Sequence, residues 1–190
     1  MLDEPKLIAE SKGGNAEAFS GLYDEYIKKI YNFVYFRTHH KQTAEDITSL
    51  VFTKAFERIR QFDPNKAKFS TWLYQIARNS VIDHYRLFKS SENIEDVWDL
   101  ASSANVEKDA DTVLAMEKVQ AYLKELPALQ RDVIIMRLWD GLSHKEIANV
   151  LDITEGHSKV NFSRAINKLR AEIGTIGLIG LLAVKNLFLF

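Results

Sequence analysis

The side chains that could carry chemistry in this sequence are basic and amide groups rather than nucleophiles. They are concentrated in GLSHKEIANVLDITEGHSKVNFSRAINKL, residues 141 to 169, and no acidic residue occurs from Gly156 to Arg170. Lysine and arginine bind phosphate oxygens and guanine edges. The segment therefore favours recognition of nucleic acid, and the structural alternative is a solvated basic face on a helical bundle. The basic side chains of the last helix predicted there are Lys159, Arg164, Lys168 and Arg170.

A second group of candidate contact residues lies in the first half of the chain. Lys66 and Lys68 make the segment FDPNKAKF basic, and its Asp-Pro-Asn sequence predicts a loop. In the helix predicted after this loop, one polar face carries Trp72, Gln75, Asn79, Asp83 and Arg86. A tryptophan on a polar face is either packed against a neighbouring helix or a stacking platform for an unstacked base, and the composition fits both.

Patterns for catalysis or metal binding are weak. The chain has no cysteine, which excludes disulfides, thiol catalysis and cysteine-ligated zinc. His39-His40 and Asp83-His84 are isolated pairs, and the sequence has no HExxH motif, phosphate loop or nucleophile elbow. We therefore expect a protein that is not an enzyme, with no cofactor and no metal site.

Composition and charge predict the domain organisation. The 190 residues are 46% hydrophobic and 27% charged, as in folded proteins. Residues 90–111 carry seven acidic residues and one lysine among serines and asparagines, which indicates an acidic flexible linker. The N-terminus has acidic residues where a secretory signal would be basic, so we expect a cytoplasmic protein. The prediction is an all-α fold with two small helical domains, residues 1–89 and 112–173, followed by an apolar tail, 174–190.

Local signals locate the helices that must position these groups. In TAEDITSLVFTKAFERI, Thr43 is the predicted N-cap, and the predicted apolar stripe is Ile47, Leu50, Val51 and Phe52. Ser143 and Glu146 have the spacing of a capping box, and Thr154 is a cap for the last helix. The apolar face predicted for that last helix carries Val160, Phe162, Ala165, Ile166 and Leu169. A helix, a turn of three or four residues and a basic helix together predict a helix-turn-helix.

Taken together, the two halves resemble the bacterial RNA polymerase sigma factors of the extracytoplasmic-function (ECF) group. AFSGLYDEY, AEDITSLVFTKAF and FSTWLYQIARNSVIDHYR are similar to sigma domain two, and LPALQRDVIIMRLWDGLSHKEIANVLDITEGHSKVNFSRAINKLR is similar to sigma domain four. The resemblance covers residues from about 5 to 172. It implies a specificity subunit that binds core RNA polymerase and promoter DNA, both duplex and single strand, and directs transcription initiation.

The resemblance also implies residue roles. Contact with the polymerase falls on Glu45, Asp46, Ser49, Phe52 and Thr53. Opening of the minus-ten element and capture of its strand fall on Lys66, Lys68, Trp72, Gln75, Asn79 and Arg86. Reading of the minus-thirty-five element falls on His157, Lys159, Asn161, Arg164 and Lys168. The acidic linker would thread through the RNA exit path of the polymerase, and an anti-sigma factor is an implied regulatory partner.

Three features depart from this family. The last helix carries His157-Ser158 and Val160-Asn161 where the family often has Thr-Val and Ser-Arg, so that Asn161 can bond an adenine edge instead of positioning on phosphate. The family commonly has Gln-Glu where this chain has Ser49-Leu50, which removes an amide and a carboxylate from the polymerase-facing helix. The tail GTIGLIGLLAVKNLFLF adds an apolar segment, for which a packed or partner-covered helix and a membrane contact are alternative interpretations. The rival functions are a free-standing helix-turn-helix regulator that acts without polymerase, and a protein-interaction scaffold.

Overall fold

The computed structural model describes residues 3–88, 123, 125–138 and 140–187; for Phe88 and residues 172–187 it describes the backbone alone. The chain divides into two compact units, Met1–Val97 and Trp98–Phe190. Every regular element within the described residues is a helix. The predicted all-α fold with two helical domains is therefore confirmed. The predicted linker, 90–111, and residues 112–122 of the predicted second domain lie outside the described residues.

Within residues 3–88, the first unit contains four α-helices and one short 3-10 helix. They are α1 (Glu4–Lys12), α2 (Ala16–Thr38), α3 (Lys41–Arg58), the 3-10 helix Ile59–Gln61 and α4 (Phe69–Phe88). The core forms where α2, α3 and α4 pack together, and it contains Leu22, Ile30, Phe33, Val34, Ala44, Val51, Ala55, Leu73, Tyr74, Ala77 and Val81. The predicted apolar face of α4 is thus buried. Phe88, predicted on the same face, lies outside the residues whose side chains are described.

Helix α1 was not predicted from the sequence. Its side chain cap is Asp3, whose Oδ1 accepts from the backbone N–H of Lys6 at 3.2 Å, and a proline occupies its first turn. Only Ile8 and Ser11 of its nine residues are buried. So short a helix has little apolar periodicity, and packing against α2 supplies stability that its own sequence does not.

The histidine pair between α2 and α3 forms a helix corner. His39 adopts a left-handed conformation, with φ of 48°, and its N–H donates to Tyr35 O at 2.8 Å to end α2. His40 is the N-cap of α3, and its Nδ1 accepts from the backbone N–H of Thr43 at 3.2 Å. The prediction that Thr43 caps this helix is wrong, because the imidazole allows the helix to begin at Lys41.

The predicted apolar stripe of α3 is also partly wrong. Ile47, Val51 and Phe52 are buried, but Leu50 is 44% exposed. Residues 47, 51 and 55 follow helical spacing and define the inner face of α3, so position 50 is rotated away from the core.

The second unit contains α5 (Ala128–Leu138), α6 (His144–Leu151) and α7 (Glu155–Leu187). The predicted capping box is confirmed: the Ser143 N–H donates to Glu146 Oε2 at 2.7 Å, and the Glu146 N–H donates to Ser143 Oγ at 3.2 Å. Residues 152–154 form the turn, with Asp152 left-handed at φ of 57°. The Thr154 hydroxyl caps α7 by accepting from the His157 N–H at 3.1 Å. The helix-turn-helix is therefore present as predicted.

Helix α7 continues without interruption into the apolar tail. Its backbone is helical from Glu155 to Leu187, so most of the segment predicted as a separate tail extends the last helix of the helix-turn-helix. Among the described residues, no helix is long and apolar enough to cross a membrane.

Candidate nucleic-acid interface

The inner and outer faces of α7 differ from the predicted ones. The buried positions are Ser158, Asn161, Ala165 and Leu169, which follow helical spacing. Val160, predicted in the core, is 46% exposed, so that prediction is wrong. His157, Lys159, Arg164 and Lys168 are exposed, as a groove-reading role requires.

Asn161 does not present its amide on the outer face. The residue is 5% exposed, and its Nδ2 donates to the carbonyl oxygen of His157, one turn earlier, at 3.0 Å. In this arrangement the Asn161 amide forms a hydrogen bond within its own helix instead of with a base. At this turn of α7, the side chain on the outer face is therefore that of Val160, not that of Asn161.

A histidine joins the two helices of the helix-turn-helix. Nδ1 of His144, on α6, lies 3.0 Å from Oγ of Ser158, on α7, and the His144 ring meets Phe162 edge to face at 5.4 Å between centroids. Burial, and then the charges of Arg137 and Lys159, lower the pKa of His144 below its ordinary value. The neutral imidazole is thus the form that fixes α7 against α6.

Two of the basic side chains on α7 have partners within the second unit. Lys159 Nζ lies 2.6 Å from Glu155 Oε1, and this hydrogen bond together with the charge of Lys159 lowers the pKa of Glu155. Lys168 Nζ donates to the carbonyl oxygen of Glu125 at 3.1 Å. Since both pairs are solvent-exposed, each costs little to exchange for a phosphate.

Trp72, at the first turn of α4, is half-buried and packs within an aromatic cluster. Its ring centroid lies 5.2 Å from that of Phe62 and 5.6 Å from that of Phe69. Phe62 and Phe69 are themselves perpendicular, 5.6 Å apart. Packing against neighbours and partial exposure thus occur together, so the two interpretations of this tryptophan do not exclude one another.

The basic loop before α4 has a defined turn. Asp63 Oδ1 accepts from the backbone N–H of Asn65 at 3.0 Å, and the Lys66 N–H donates to Asp63 O at 3.1 Å. Lys66 and Lys68 are both exposed, and Lys66 lies 4.0 Å from the Asp63 carboxylate. The loop therefore places two cations immediately before Trp72.

The polar face of α4 is accessible. Gln75 is half-buried, and Asn79, Asp83 and Arg86 are exposed, in the order that helical spacing predicts. Lys54 of α3 donates to Ser80 Oγ at 3.1 Å and lies 4.0 Å from the Asp83 carboxylate. This contact links α3 to the middle of α4.

Helix α3 presents a second exposed surface. Glu45, Asp46, Ser49 and Thr53 lie on it, whereas Phe52 is 4% exposed and packs on Tyr23, with ring centroids 4.7 Å apart. Phe52 is therefore a core residue beneath this surface, which corrects the expectation that it makes a contact. Leu50 and Phe56, at 44% and 45% exposed, are apolar members of the surface that the sequence did not indicate.

No group of three or more histidine, aspartate or glutamate side chains that could hold a metal ion occurs among the described residues. The exposed cations and amides of the basic loop, α4 and α7 are suited to binding phosphates and base edges.

Comparison with known proteins matches each half to a family. The family Sigma-70 region 2 matches residues 22–97, and Sigma-70, region 4 matches residues 116–169. The ECF RNA polymerase sigma factor SigW of Bacillus subtilis is 32% identical over 179 residues, which cover 88% of this chain and 95% of SigW. The chain belongs to the ECF sigma factors.

A second relative extends beyond this chain. The ECF RNA polymerase sigma factor BldN of Streptomyces coelicolor is 36% identical over 170 residues, and the match covers 86% of this chain but 63% of BldN. The fold is also that of the sigma factor RpoE from Bartonella quintana, solved with the anti-sigma factor NepR. Their TM-score is 0.69 at 22% identity, over 82% of this chain and 96% of RpoE.

Sigma factors are transcription initiation factors rather than enzymes, and the two matched regions contain the exposed surfaces of α3, of the basic loop with α4, and of α7. The region 2 match contains α3, the basic loop and α4, and the region 4 match contains α5, α6 and the first part of α7. Helix α1 precedes the first match, and the continuation of α7 beyond residue 169 follows the second.

Proposed function

We propose that this sigma factor binds core RNA polymerase through α3 and captures one strand of the minus-ten element through the basic loop and α4. The outer face of α7 then reads the minus-thirty-five element in the major groove. Residues 1–89 act as sigma domain two and residues 112–173 as sigma domain four, joined by the acidic segment 90–111. The observation that carries the proposal is Trp72, half-exposed on an aromatic support and preceded by two exposed lysines.

Strand capture has to compensate for the cost of opening the duplex. Each base-pair step that separates costs about 1.4 kcal/mol in stacking. A base stacked on an aromatic ring contributes about 1 to 3 kcal/mol, so one stack on Trp72 offsets about one step. Lys66, Lys68 and Arg86 add attraction for the strand backbone, while Gln75 and Asn79 are the amides that contact bases.

The aromatic support adds to this role. Phe62 and Phe69 contact Trp72 on its inner side, so its ring is already oriented before DNA binds. Orientation in advance reduces the entropy lost when a base stacks. A freely rotating tryptophan would lose more of the stacking energy to ordering.

The polymerase surface on α3 combines charged and apolar groups. Glu45, Asp46, Ser49 and Thr53 supply polar contacts, while the exposed Leu50 and Phe56 supply apolar area. Leu50 therefore compensates with apolar burial for the carboxylate that the family commonly has at this position. Phe52 lies in the core beneath this surface and packs on Tyr23 of α2.

On α7, His157, Lys159 and Arg164 contact the DNA, and Lys168 contacts a phosphate further along the helix. Val160 takes the place of Asn161 on the outer face, where an apolar side chain can contact the methyl group of thymine. We further propose that the protein acts in the cytoplasm, has no enzymatic activity, and is regulated by an anti-sigma factor that covers these surfaces.

The experiment that tests strand capture compares Trp72→Ala with the wild type after assembly with bacterial core RNA polymerase. A promoter is first selected from random fragments by transcription that depends on this protein. Promoter opening, measured by permanganate reactivity of minus-ten thymines, should fall roughly 10-fold, while affinity for core polymerase stays unchanged. Equal loss of opening and core binding would contradict the role assigned to Trp72. Binding to duplex DNA without any core affinity would instead identify a free-standing regulator.

A further inference from the structure

Helix α1 makes two polar contacts with the residues that surround Trp72. Near the end of the helix, Lys12 Nζ donates to the carbonyl oxygen of Phe62 at 2.8 Å. At its start, a Glu4 carboxylate oxygen accepts a short hydrogen bond from the Tyr26 hydroxyl. The two ends of α1 are thus each held by a different aromatic residue.

Both aromatic residues belong to the support of Trp72. Phe62 contacts Trp72 directly, and Tyr26 contacts Phe69 at 5.5 Å between ring centroids; Phe69 in turn contacts Trp72. Burial, and then the hydrogen bond to Glu4, raise the pKa of Tyr26, so its hydroxyl keeps the proton that it donates. Helix α1 is therefore connected to Trp72 in two ways: from Lys12 through Phe62, and from Glu4 through Tyr26 and then Phe69.

The contact from Lys12 also fixes the start of the basic loop. The Phe62 N–H donates to Ile59 O at 3.1 Å, which closes the 3-10 helix, and the Phe62 carbonyl then accepts from Lys12. Phe62 is 3% exposed, and the loop that carries Lys66 and Lys68 leaves the core immediately after it. A hydrogen bond from a charged donor to the carbonyl of this buried residue is stronger than one from a neutral donor, so it constrains where the loop begins.

We propose that α1 is a positioning element for strand capture and that Lys12 is its positioning residue: it acts through Phe62 on Trp72 and on the basic loop. The inference rests on the proposed function, since it assigns no contact between α1 and DNA. It adds a role to a helix that lies outside the matched sigma region, which begins at residue 22.

A positioning role differs measurably from a phosphate contact. A lysine that binds a phosphate releases a counterion, so its loss makes the slope of log affinity against log salt shallower by about 0.7 for a single strand. The Lys12 ammonium is instead bonded to a carbonyl of its own chain. Its removal should weaken strand binding and leave the salt dependence as it was.

The test measures binding of a fluorescent single-stranded oligonucleotide that carries the minus-ten sequence of a selected promoter. The binding partner is the complete sigma factor assembled with core polymerase, at several salt concentrations. The variants are Lys12→Met, Lys12→Arg, Trp72→Ala and the double variant Lys12→Met with Trp72→Ala. Lys6→Met is the matched control, because Lys6 lies on the same helix with its side chain 67% exposed and only a loose pair with Glu10 at 3.9 Å.

Lys12→Met should weaken strand binding roughly 10-fold, with core affinity and salt slope unchanged. Lys12→Arg, which retains a charged donor, should recover most of the affinity, and Lys6→Met should match the wild type. The double variant should bind more weakly than Trp72→Ala by less than the full loss seen in Lys12→Met, because the part of that loss that passes through Trp72 is already gone.

Wild-type strand binding by Lys12→Met, or fully additive losses in the double variant, would overturn the inference. If Lys12→Met loses core affinity as much as strand affinity, the chain has unfolded, and Tyr26→Phe replaces it as a milder variant that removes the Glu4 contact and keeps the ring. Wild-type strand binding by Tyr26→Phe would then overturn the inference. Wild-type strand binding by Trp72→Ala would contradict the proposed role of Trp72 itself. If Trp72→Ala is defective and Lys12→Met is not, the proposed function stands and only the role of α1 is rejected.

Discussion

Helices α4 and α7 both face DNA in our proposal, yet they are built differently. On α4 the decisive residue is an aromatic ring supported by other aromatic rings, and the cations come from the preceding loop. On α7 the outer face itself carries the cations, and the polar groups beneath it are satisfied within the protein. An aromatic platform suits bases that have left the duplex, whereas a cationic helix suits an intact groove. The difference separates two tasks that net charge alone would not distinguish.

The largest effect that would sharpen this comparison comes from reversing two charges on α7. Lys159→Glu combined with Arg164→Glu should weaken binding to minus-thirty-five duplex roughly 100-fold and reduce the salt slope by about 2, because two cationic contacts become repulsive. Binding of a minus-ten single strand by the assembled polymerase should stay at the wild-type value. Both quantities can be measured by fluorescence anisotropy, and an equal loss of strand binding would break the division of tasks.

A smaller effect distinguishes the outer face of α7 from its inner face. Val160→Ala should change the preference for thymine at one position of the minus-thirty-five element by about 1 kcal/mol, because it removes an exposed apolar contact. Asn161→Ala should leave that preference unchanged and alter thermal stability by about 1 kcal/mol at most, since its amide bonds His157 O. Selection from randomised promoter fragments measures the preference, and a changed preference in Asn161→Ala would show that the amide reads DNA.

The smallest expected effect concerns the contact that fixes α7 on α6. Since the pKa of His144 is lowered below 6.5, the unfolded chain binds more protons than the folded one in the window just below that value. The contribution of His144 to stability is therefore complete above about pH 6.5 and declines as the pH falls through that window. An NMR titration of the His144 ring measures its pKa directly, and a value at or above 6.5 would contradict the described environment.

Local sequence signals predicted much of this fold. The Ser143–Glu146 capping box and the Thr154 cap were both correct, because each depends on residues within one helical turn. The faces of α7 were less predictable, since polar Ser158 and Asn161 are buried and apolar Val160 is exposed. A count of apolar residues assigns such positions to the wrong side, because it does not include the hydrogen bonds that allow a polar side chain to be buried.

Long-range contacts were outside the reach of sequence analysis. Helix α1 has few apolar residues, and its two contacts with the support of Trp72 join positions 50 and 22 residues apart. Nothing in the local pattern connects Lys12 with Phe62. For the same reason the sequence left open whether Trp72 was packed or exposed. In the structure its ring packs on Phe62 and the residue is half-buried.

The most direct test of the central claim uses a promoter that is already open. Transcription by polymerase carrying Trp72→Ala is measured on a duplex promoter and on the same promoter with mismatched bases across the minus-ten element. If Trp72 supplies energy for strand separation, the defect of roughly 10-fold on the duplex should largely disappear on the mismatched template. Polymerase carrying Lys159→Glu with Arg164→Glu, in contrast, should remain impaired in binding the minus-thirty-five element on both templates. An equal defect of Trp72→Ala on both templates would contradict strand capture by α4.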